Sequence, residues 1–105
     1  MNKKLTPLNY KGYEKYLVHE TNDFMGHGSN NDYGYRFAFP SGLELSVIKH
    51  FGSYGYNDDL FEIAVMKDGD FVHIQGITDD DVVKGYLTNE EVIEIIKELC
   101  DEKTN

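Results

Sequence analysis

Apolar and polar side chains alternate in two neighbouring segments of the chain, residues 35–39 (YRFAF) and residues 43–47 (LELSV). A period of two is the pattern of a strand with one buried face. A two-residue turn between the segments would place Phe39 opposite Glu44, whereas a three-residue loop places Phe39 opposite Leu43. Only the longer loop gathers the apolar side chains on one face, which is what fixes strand register. We therefore predict a hairpin with the pairs Phe39–Leu43, Phe37–Leu45 and Tyr35–Val47.

Residues 60–66 (LFEIAVM) and 71–75 (FVHIQ) form a second predicted hairpin. Asp68-Gly69 between them is a favoured sequence for a two-residue type I′ turn, in which both residues have a positive φ. Both faces of this hairpin are largely apolar, so we expect it to lie centrally in the sheet or to be covered on both sides. The turn predicts the pairs Met66–Phe71, Val65–Val72, Ala64–His73 and Ile63–Ile74.

The C-terminal part of the chain carries helical signals. The acidic run from Thr78 to Gly85 predicts one helical turn, because threonine caps a helix start and glycine ends a helix. Residues 88–91 (TNEE) have the sequence of a capping box. An apolar stripe at helical spacing follows and predicts an amphipathic helix: Val92, Ile95, Ile96 and Leu99.

The remaining segments are less regular. Residues 6–21 fit either a short helix or an irregular start that leads into an extended segment. Residues 24–33 and 50–59 are rich in glycine and polar residues and predict loops, the first of them mobile. The order of elements predicts one α+β domain, an antiparallel meander of four to five strands with the C-terminal helix packed on one face. Its parts are an N-terminal segment and loop (1–32), the two hairpins (33–75) and an acidic helical part (78–102).

The negative charge of the chain is concentrated in its second half. Residues 1–53 contain six Lys or Arg against five Asp or Glu, whereas residues 54–105 contain four against fourteen, so the halves carry +1 and −10 of the net −9. A second half this acidic disfavours DNA, RNA and anionic membranes as its direct ligands, because all three are polyanionic. Because no apolar run has the length of a membrane span or a signal peptide, we expect a cytoplasmic protein.

Glutamates recur every fourth residue along the predicted helix, at Glu90, Glu94, Glu98 and Glu102. Neighbours at this spacing stand about 5–6 Å apart, so a row of carboxylates can imitate a nucleic-acid backbone toward a protein that binds DNA or RNA. The alternative is an ordinary solvated helix face. Exposed tyrosines are enriched in protein interfaces, so we add the two tyrosines of the 50–59 loop to the predicted partner-binding residues. The predicted partner-binding residues are Glu90, Glu94, Glu98, Asp101, Asp79, Asp80, Asp81, Tyr54 and Tyr56.

Residues of catalytic type are present, but their spacing matches no known catalytic or metal motif. The histidines lack the HExxH pattern, and the aspartates at 79–81 and 58–59 lack the spacing of a calcium loop. The single Cys100 excludes an internal disulfide and has no basic neighbours in sequence to activate it. We therefore predict no metal, no cofactor and no enzymatic activity. The alternatives are a self-associating accessory or structural module, or a small enzyme or ligand-binding domain that uses His27, His50 and the glycine-rich loops, for which a deep pocket lined by His50 and Asp58 would be the sign.

Two longer runs carry a resemblance to a known group of proteins. Residues 33–66 (YGYRFAFPSGLELSVIKHFGSYGYNDDLFEIAVM) and 77–99 (ITDDDVVKGYLTNEEVIEIIKEL) resemble small bacteriophage and prophage proteins whose function is unknown. The resemblance implies a small antiparallel sheet with a C-terminal helix, in the cytoplasm of a bacterial host, and it implies no catalytic or ligand residues. With the charge pattern, it leads us to expect a protein that binds a basic surface of a host protein, as phage-encoded anti-CRISPR and other anti-defence inhibitors do.

Overall fold

The computed structural model describes residues 5–24, 26, 32–79 and 81–100. Within these residues, six strands form one antiparallel sheet and an α-helix follows the last strand. The α+β class, the antiparallel sheet and the C-terminal helix are therefore confirmed, with one strand more than predicted. The elements are β1 (Leu17–Thr21), β2 (Tyr33–Ala38), β3 (Leu43–Lys49), β4 (Phe61–Lys67), β5 (Asp70–Phe71), β6 (Val83–Leu87) and α1 (Asn89–Cys100).

The sheet is a five-stranded meander with one strand added beside β4. Strands β1 to β5 are neighbours in chain order, and β6 returns to pair with β4. β5 pairs with the end of β4, at Met66 and Lys67, whereas β6 pairs with its first half, between Phe61 and Ala64. Strand β4 is thus flanked along both sides, which accounts for its nearly continuous run of buried residues.

The first hairpin has the predicted register. Its loop spans three residues, and the Gly42 N–H donates to the Phe39 carbonyl over 2.9 Å. Gly42 has a φ of 95°, in the left-handed region that glycine adopts without steric cost. The predicted pairings are confirmed: Phe39–Leu43, Phe37–Leu45 and Tyr35–Val47.

The second hairpin is as predicted at its turn. At Asp68-Gly69 the φ values are 54° and 87°, as a type I′ turn requires. Met66 pairs with Phe71, and the Val72 N–H donates to the Val65 carbonyl over 2.9 Å. The strand β5 nevertheless contains only two residues, so the predicted second arm is much shorter than expected.

The outer part of this hairpin prediction is wrong, because β6 occupies the edge of β4 that the second arm would need. After Phe71 the chain turns away: the Ile74 N–H donates to the Thr78 hydroxyl over 2.8 Å, and the Ile74 carbonyl accepts the N–H groups of Ile77 (2.9 Å) and Thr78 (2.8 Å). The observed pairs are Ala64–Val83 and Ile63–Lys84, not Ala64–His73 and Ile63–Ile74.

The helical turn predicted for residues 78–85 is also wrong. Its second half belongs to the strand β6, which begins at Val83. Thr78 does not cap a helix: it is only 2% exposed, and its hydroxyl is bonded to Ile74. The β-branched residues Val82 and Val83 favour an extended backbone, and pairing with β4 stabilises that conformation.

Helix α1 begins and packs as predicted. The Thr88 N–H donates to Glu91 Oε1 over 2.8 Å and the Glu91 N–H donates to Thr88 Oγ1 over 3.1 Å, which together complete the capping box. Leu87, immediately before the box, is buried. The helix packs on the core face of the sheet through the predicted stripe: Val92, Ile95, Ile96 and Leu99.

The segment before β1 follows the irregular alternative. A short 3₁₀ turn, Glu14–Tyr16, leads into β1, and no α-helix lies between residues 6 and 21, all of which are described. Leu5 and Leu8 are buried and extend the core. The Leu8 N–H donates to the hydroxyl of Tyr35 over 2.9 Å, and burial raises the pKa of that hydroxyl to about 12.

A partly buried ion pair ties this N-terminal segment to the sheet. Lys49, at the end of β3, is 1% exposed, and its Nζ donates to Asp59 Oδ1 and to the Thr6 carbonyl, both over 2.8 Å. The same Nζ lies 3.7 Å from the centroid of the Phe61 ring. Asp59 in turn accepts from the Thr6 N–H over 2.9 Å and from the Thr6 hydroxyl over 2.6 Å. We call Thr6, Lys49 and Asp59 the clamp.

The environment of the clamp shifts both ionisable groups. Burial lowers the pKa of Lys49, and the hydrogen bond and charge of Asp59 oppose that shift. Burial alone would raise the pKa of Asp59, but the hydrogen bonds from Lys49 and Thr6 outweigh it, so the pKa of this carboxyl is lowered. The lowered pKa keeps the Asp59 carboxylate charged at neutral pH, and this carboxylate holds Lys49 Nζ through the 2.8 Å hydrogen bond.

Candidate protein-interaction surfaces

The glutamates Glu90, Glu94 and Glu98 are all exposed on α1, away from its buried stripe. We call these three residues the carboxylate stripe. The one lysine of α1, Lys97, pairs with Glu94, with 3.3 Å between Nζ and Oε2. Glu91 is not part of the stripe, because its carboxylate closes the capping box. The helix thus presents to solvent a row of carboxylates that a single lysine partly neutralises.

The aspartates predicted beside this stripe are engaged in local structure. Both carboxylate oxygens of Asp79 accept the Gly76 N–H, over 2.9 and 3.0 Å, and Asp81 Oδ1 accepts the Val82 N–H over 2.7 Å. Both residues are exposed at the edge of a cavity of about 180 Å³. Two further predicted residues, Asp80 and Asp101, lie outside the described residues, as does Glu102 of the predicted glutamate row.

The tyrosines of the 50–59 loop differ in exposure. Tyr54 is 56% exposed, whereas Tyr56 is half-buried with its ring edge-on to Phe51 at 5.7 Å between centroids. Phe51 itself is 76% exposed, and Tyr86, on β6, is 60% exposed. Tyr86 is not among the predicted contacts, because the helical turn predicted up to Gly85 left no strand at its position.

A β-bulge places Tyr86 next to Tyr54. Between the pairs Phe61–Leu87 and Ile63–Lys84, the two residues Gly85 and Tyr86 face the single residue Glu62. Tyr86 has a φ of 61°, which is rare for a bulky side chain, and its N–H donates to the Tyr54 carbonyl over 3.3 Å. We call Tyr54 and Tyr86 the bulge tyrosines.

Two glycines permit this close approach of loop and bulge. A Cβ on Gly85 would lie 2.3 Å from the Cβ of Tyr54, which no side chain could tolerate without movement. A Cβ on Gly55, whose φ is 99°, would lie 3.0 Å from the backbone of Tyr86. The Tyr54 N–H donates to Glu62 Oε1 over 2.8 Å, which completes the connection between the loop and the sheet.

The sheet separates the bulge tyrosines from the carboxylate stripe. Phe61 and Ile63 are buried on the core face, against which α1 packs. Since successive side chains of a strand point to opposite faces, Glu62 lies on the other face. Tyr54 is bonded to Glu62 there, so the structure does not join the predicted tyrosine and glutamate contacts into one continuous surface.

Of the residues considered for catalysis, His50 is engaged in local contacts. The ring of His50 stacks on Phe24 at 4.8 Å between centroids, and its Nδ1 lies 2.8 Å from the Phe51 carbonyl. His27 lies outside the described residues, as do residues 25 and 28–31 of the predicted mobile loop. In the part of the chain that is described, no three histidine, cysteine, aspartate or glutamate side chains are grouped so that they could hold a metal.

A second cavity lies between the N-terminal segment and the end of α1. Its volume is about 250 Å³, and Lys15 and Lys97 are among its lining residues. Cys100 also lines it and packs half-buried against the core. The described residues that line it include no histidine and no carboxylate, so the two lysines make it a small, weakly basic depression.

Comparison of the chain with protein-family models, curated protein sequences and solved structures gives no match. The resemblance to phage proteins therefore stays a prediction. Over the residues that the structure covers, no helix is both long enough and apolar enough to cross a bilayer.

Proposed function

We propose that this protein is a non-catalytic binding domain whose acidic C-terminal half engages a basic surface of another protein. The observation that carries the proposal is the carboxylate stripe: Glu90, Glu94 and Glu98 are exposed together on α1, with Lys97 as the one lysine of the helix. The apolar residues on the opposite side of the helix pack into the core, so the carboxylates stand on a rigid element.

The stripe carries an electrostatic cost that a cationic partner would relieve. Like charges four residues apart on a helix destabilise it by about 0.2–0.5 kcal/mol for each pair. The Lys97 side chain is 51% exposed and its partner Glu94 68% exposed, so solvent screens their attraction and the pair neutralises little of the stripe. A partner that brings lysine or arginine to this face would remove the repulsion and gain charge-assisted hydrogen bonds.

The class of partner follows from the same charges. With a net charge of −9, the protein repels nucleic acids and attracts the proteins that bind them. We therefore place a nucleic-acid-binding host protein first among partners, in the manner of a phage anti-defence inhibitor such as an anti-CRISPR protein. The spacing of the stripe, comparable to that of backbone phosphates, supports this choice.

Affinity capture from a bacterial lysate, at low and at high salt, tests the proposal. The test variant is E90Q/E94Q/E98Q, and the matched control is E14Q/E20Q/D70N, which removes the same number of exposed carboxylates elsewhere. We expect the wild type and the control to retain a basic partner at low salt and the stripe variant to lose it. Equal retention by all three proteins would refute the proposal.

A second candidate is a self-associating module, which the edge of the sheet favours. Strand β1 pairs with β2 alone among the described strands, and Val18 in it is 60% exposed. An open edge is a template for pairing with another chain. Sedimentation at micromolar concentration separates the candidates: a stable homo-oligomer supports self-association, and a monomer supports the charged partner.

A further inference from the structure

We propose that the bulge tyrosines form a second contact surface, which holds an arginine side chain of a protein partner. This inference rests on the proposed function only in that the partner is cationic. The surface itself lies on the opposite face of the sheet from the carboxylate stripe, so it can be tested separately.

The protein holds these two rings in place at a conformational cost. Tyr86 stands in the left-handed region with a φ of 61°, where a bulky side chain is rarely found. Strained residues of this kind persist where the surrounding structure fixes them, and they cluster at functional sites. Here the fixing contacts are the Tyr86 N–H bond to the Tyr54 carbonyl and the close approach at Gly55 and Gly85.

The two rings remain exposed although the backbone that carries them is fixed. Tyr54 and Tyr86 are 56% and 60% exposed. A strained bulge that served packing alone would bury the side chain that it positions. Rigid, exposed tyrosines are the residues that most often dominate the affinity of protein interfaces, because they add contact area with little loss of side-chain freedom.

The charges around the rings select the partner. The carboxylate of Glu62 lies beneath the loop, bonded to the Tyr54 N–H, and the exposed Asp58 follows in the same loop. The nearest lysine in sequence, Lys84, pairs with Ile63 rather than with Glu62 and lines the cavity beside Asp79 and Asp81. The guanidinium group of arginine fits both the tyrosine rings and the carboxylates, because it stacks on aromatic rings and donates hydrogen bonds to carboxylates.

The same charges disfavour the other occupants. A nucleic acid would bring phosphates to a surface of carboxylates, which repel them. A second copy of this chain would bring another −9 of net charge. An arginine-bearing segment of a basic protein is the occupant that charge complementarity favours.

The test is an NMR titration of the ¹⁵N-labelled full chain with three short peptides, in which arginine, lysine or glutamate alternates with glycine. We expect the arginine peptide to shift the amide signals of Tyr54, Gly55, Gly85 and Tyr86, the lysine peptide to shift them less and the glutamate peptide not at all. Shifts confined to α1 would leave the proposed function standing and overturn this inference. Equal shifts with the lysine peptide would overturn the role of stacking.

Variants show whether the rings carry the interaction. Tyr86→Gly removes one ring and keeps the positive φ, and Tyr54→Ala removes the other while keeping the Cβ that packs on Gly85. We expect each to weaken binding of the arginine peptide about tenfold or more. Phe71→Ala, which removes a ring 55% exposed elsewhere on the sheet, is the control and should leave binding unchanged.

Three further outcomes decide against the inference. An unchanged affinity in both tyrosine variants would show that the rings do not bind the peptide. An equal loss in Phe71→Ala would show a non-specific effect of surface rings. Dimer formation by the wild type that Tyr86→Gly abolishes would assign the surface to self-association.

Discussion

Replacing Asp59 by asparagine removes the charge that balances the buried Lys49 while keeping a side chain of similar size. Asparagine also tolerates the φ of 60° at this position and can still accept from Thr6, so the main change is electrostatic. The ammonium of Lys49, 1% exposed, would then be left in the core without its counter-charge. The perturbation therefore isolates the ion pair of the clamp.

The structure sets the size of the effect. Removing one partner of a buried pair costs about 3–5 kcal/mol. The lower end applies here, because the Asp59 side chain is 32% exposed and water can partly replace its charge. A loss of about 3 kcal/mol is a large part of the stability of a domain of this size and would lower the Tm by roughly 12–24 °C.

Urea unfolding followed by far-UV circular dichroism measures this loss. We expect Asp59→Asn to reduce the free energy of unfolding by about 3 kcal/mol with little change in m-value, and we expect the double variant K49M/D59N to recover most of it. Methionine can fill the space of the lysine stem against Phe61 without a buried charge. A loss below about 0.5 kcal/mol in Asp59→Asn, or no recovery in the double variant, would refute this account of the clamp.

Three further predictions follow from the same structure. Because the pKa of Asp59 is lowered in the folded state, its contribution to stability is present above the unfolded pKa of about 3.9 and is lost as the pH falls below it. The free energy of unfolding, measured in urea across this range, should therefore fall less steeply with decreasing pH in Asp59→Asn than in the wild type. Thr88→Ala removes the capping bond to the Glu91 N–H and should cost about 1 kcal/mol in thermal unfolding, whereas a change within error would contradict the role of the box. Gly85→Ala places a Cβ 2.3 Å from that of Tyr54, so the amide signals of the bulge should shift widely in an NMR spectrum; an unchanged spectrum would contradict the described approach.

Two elements could be predicted from the sequence because a local pattern and the tertiary contacts agree. In the first hairpin, the alternation around Phe37 and Leu45 has one register that buries the apolar side, and the loop ending in Gly42 permits it. In α1, the capping box and the apolar stripe both indicate the same helix start. Neither element depends on a distant partner for its identity.

β6 could not be predicted, because its signals point to a helix when read locally. Thr78 followed by aspartates has the form of a helix start, yet Thr78 bonds to Ile74, four residues earlier. Pairing with β4 stabilises the extended conformation of β6, and no local sequence pattern predicts that pairing. The same applies to Tyr86, whose exposure and left-handed backbone arise from the bulge that this pairing creates.

Of the two candidate surfaces, one follows from local spacing in the sequence and the other depends on strand pairing. The carboxylate stripe was predicted because helical spacing alone sets its geometry, and Glu90, Glu94 and Glu98 are exposed as that spacing implies. Of the two bulge tyrosines, the sequence predicts only Tyr54 as a contact residue. The second ring and the separation of this site from the stripe depend on which face of the sheet each element occupies.

The salt dependence of binding to a captured basic partner tests the central claim most directly. If the stripe supplies the attraction, the affinity of the wild type falls steeply with rising salt, and E90Q/E94Q/E98Q binds more weakly at low salt with a shallower dependence. The control E14Q/E20Q/D70N should follow the wild type closely. The same salt dependence in all three proteins would contradict the claim that the carboxylates of α1 form the binding surface.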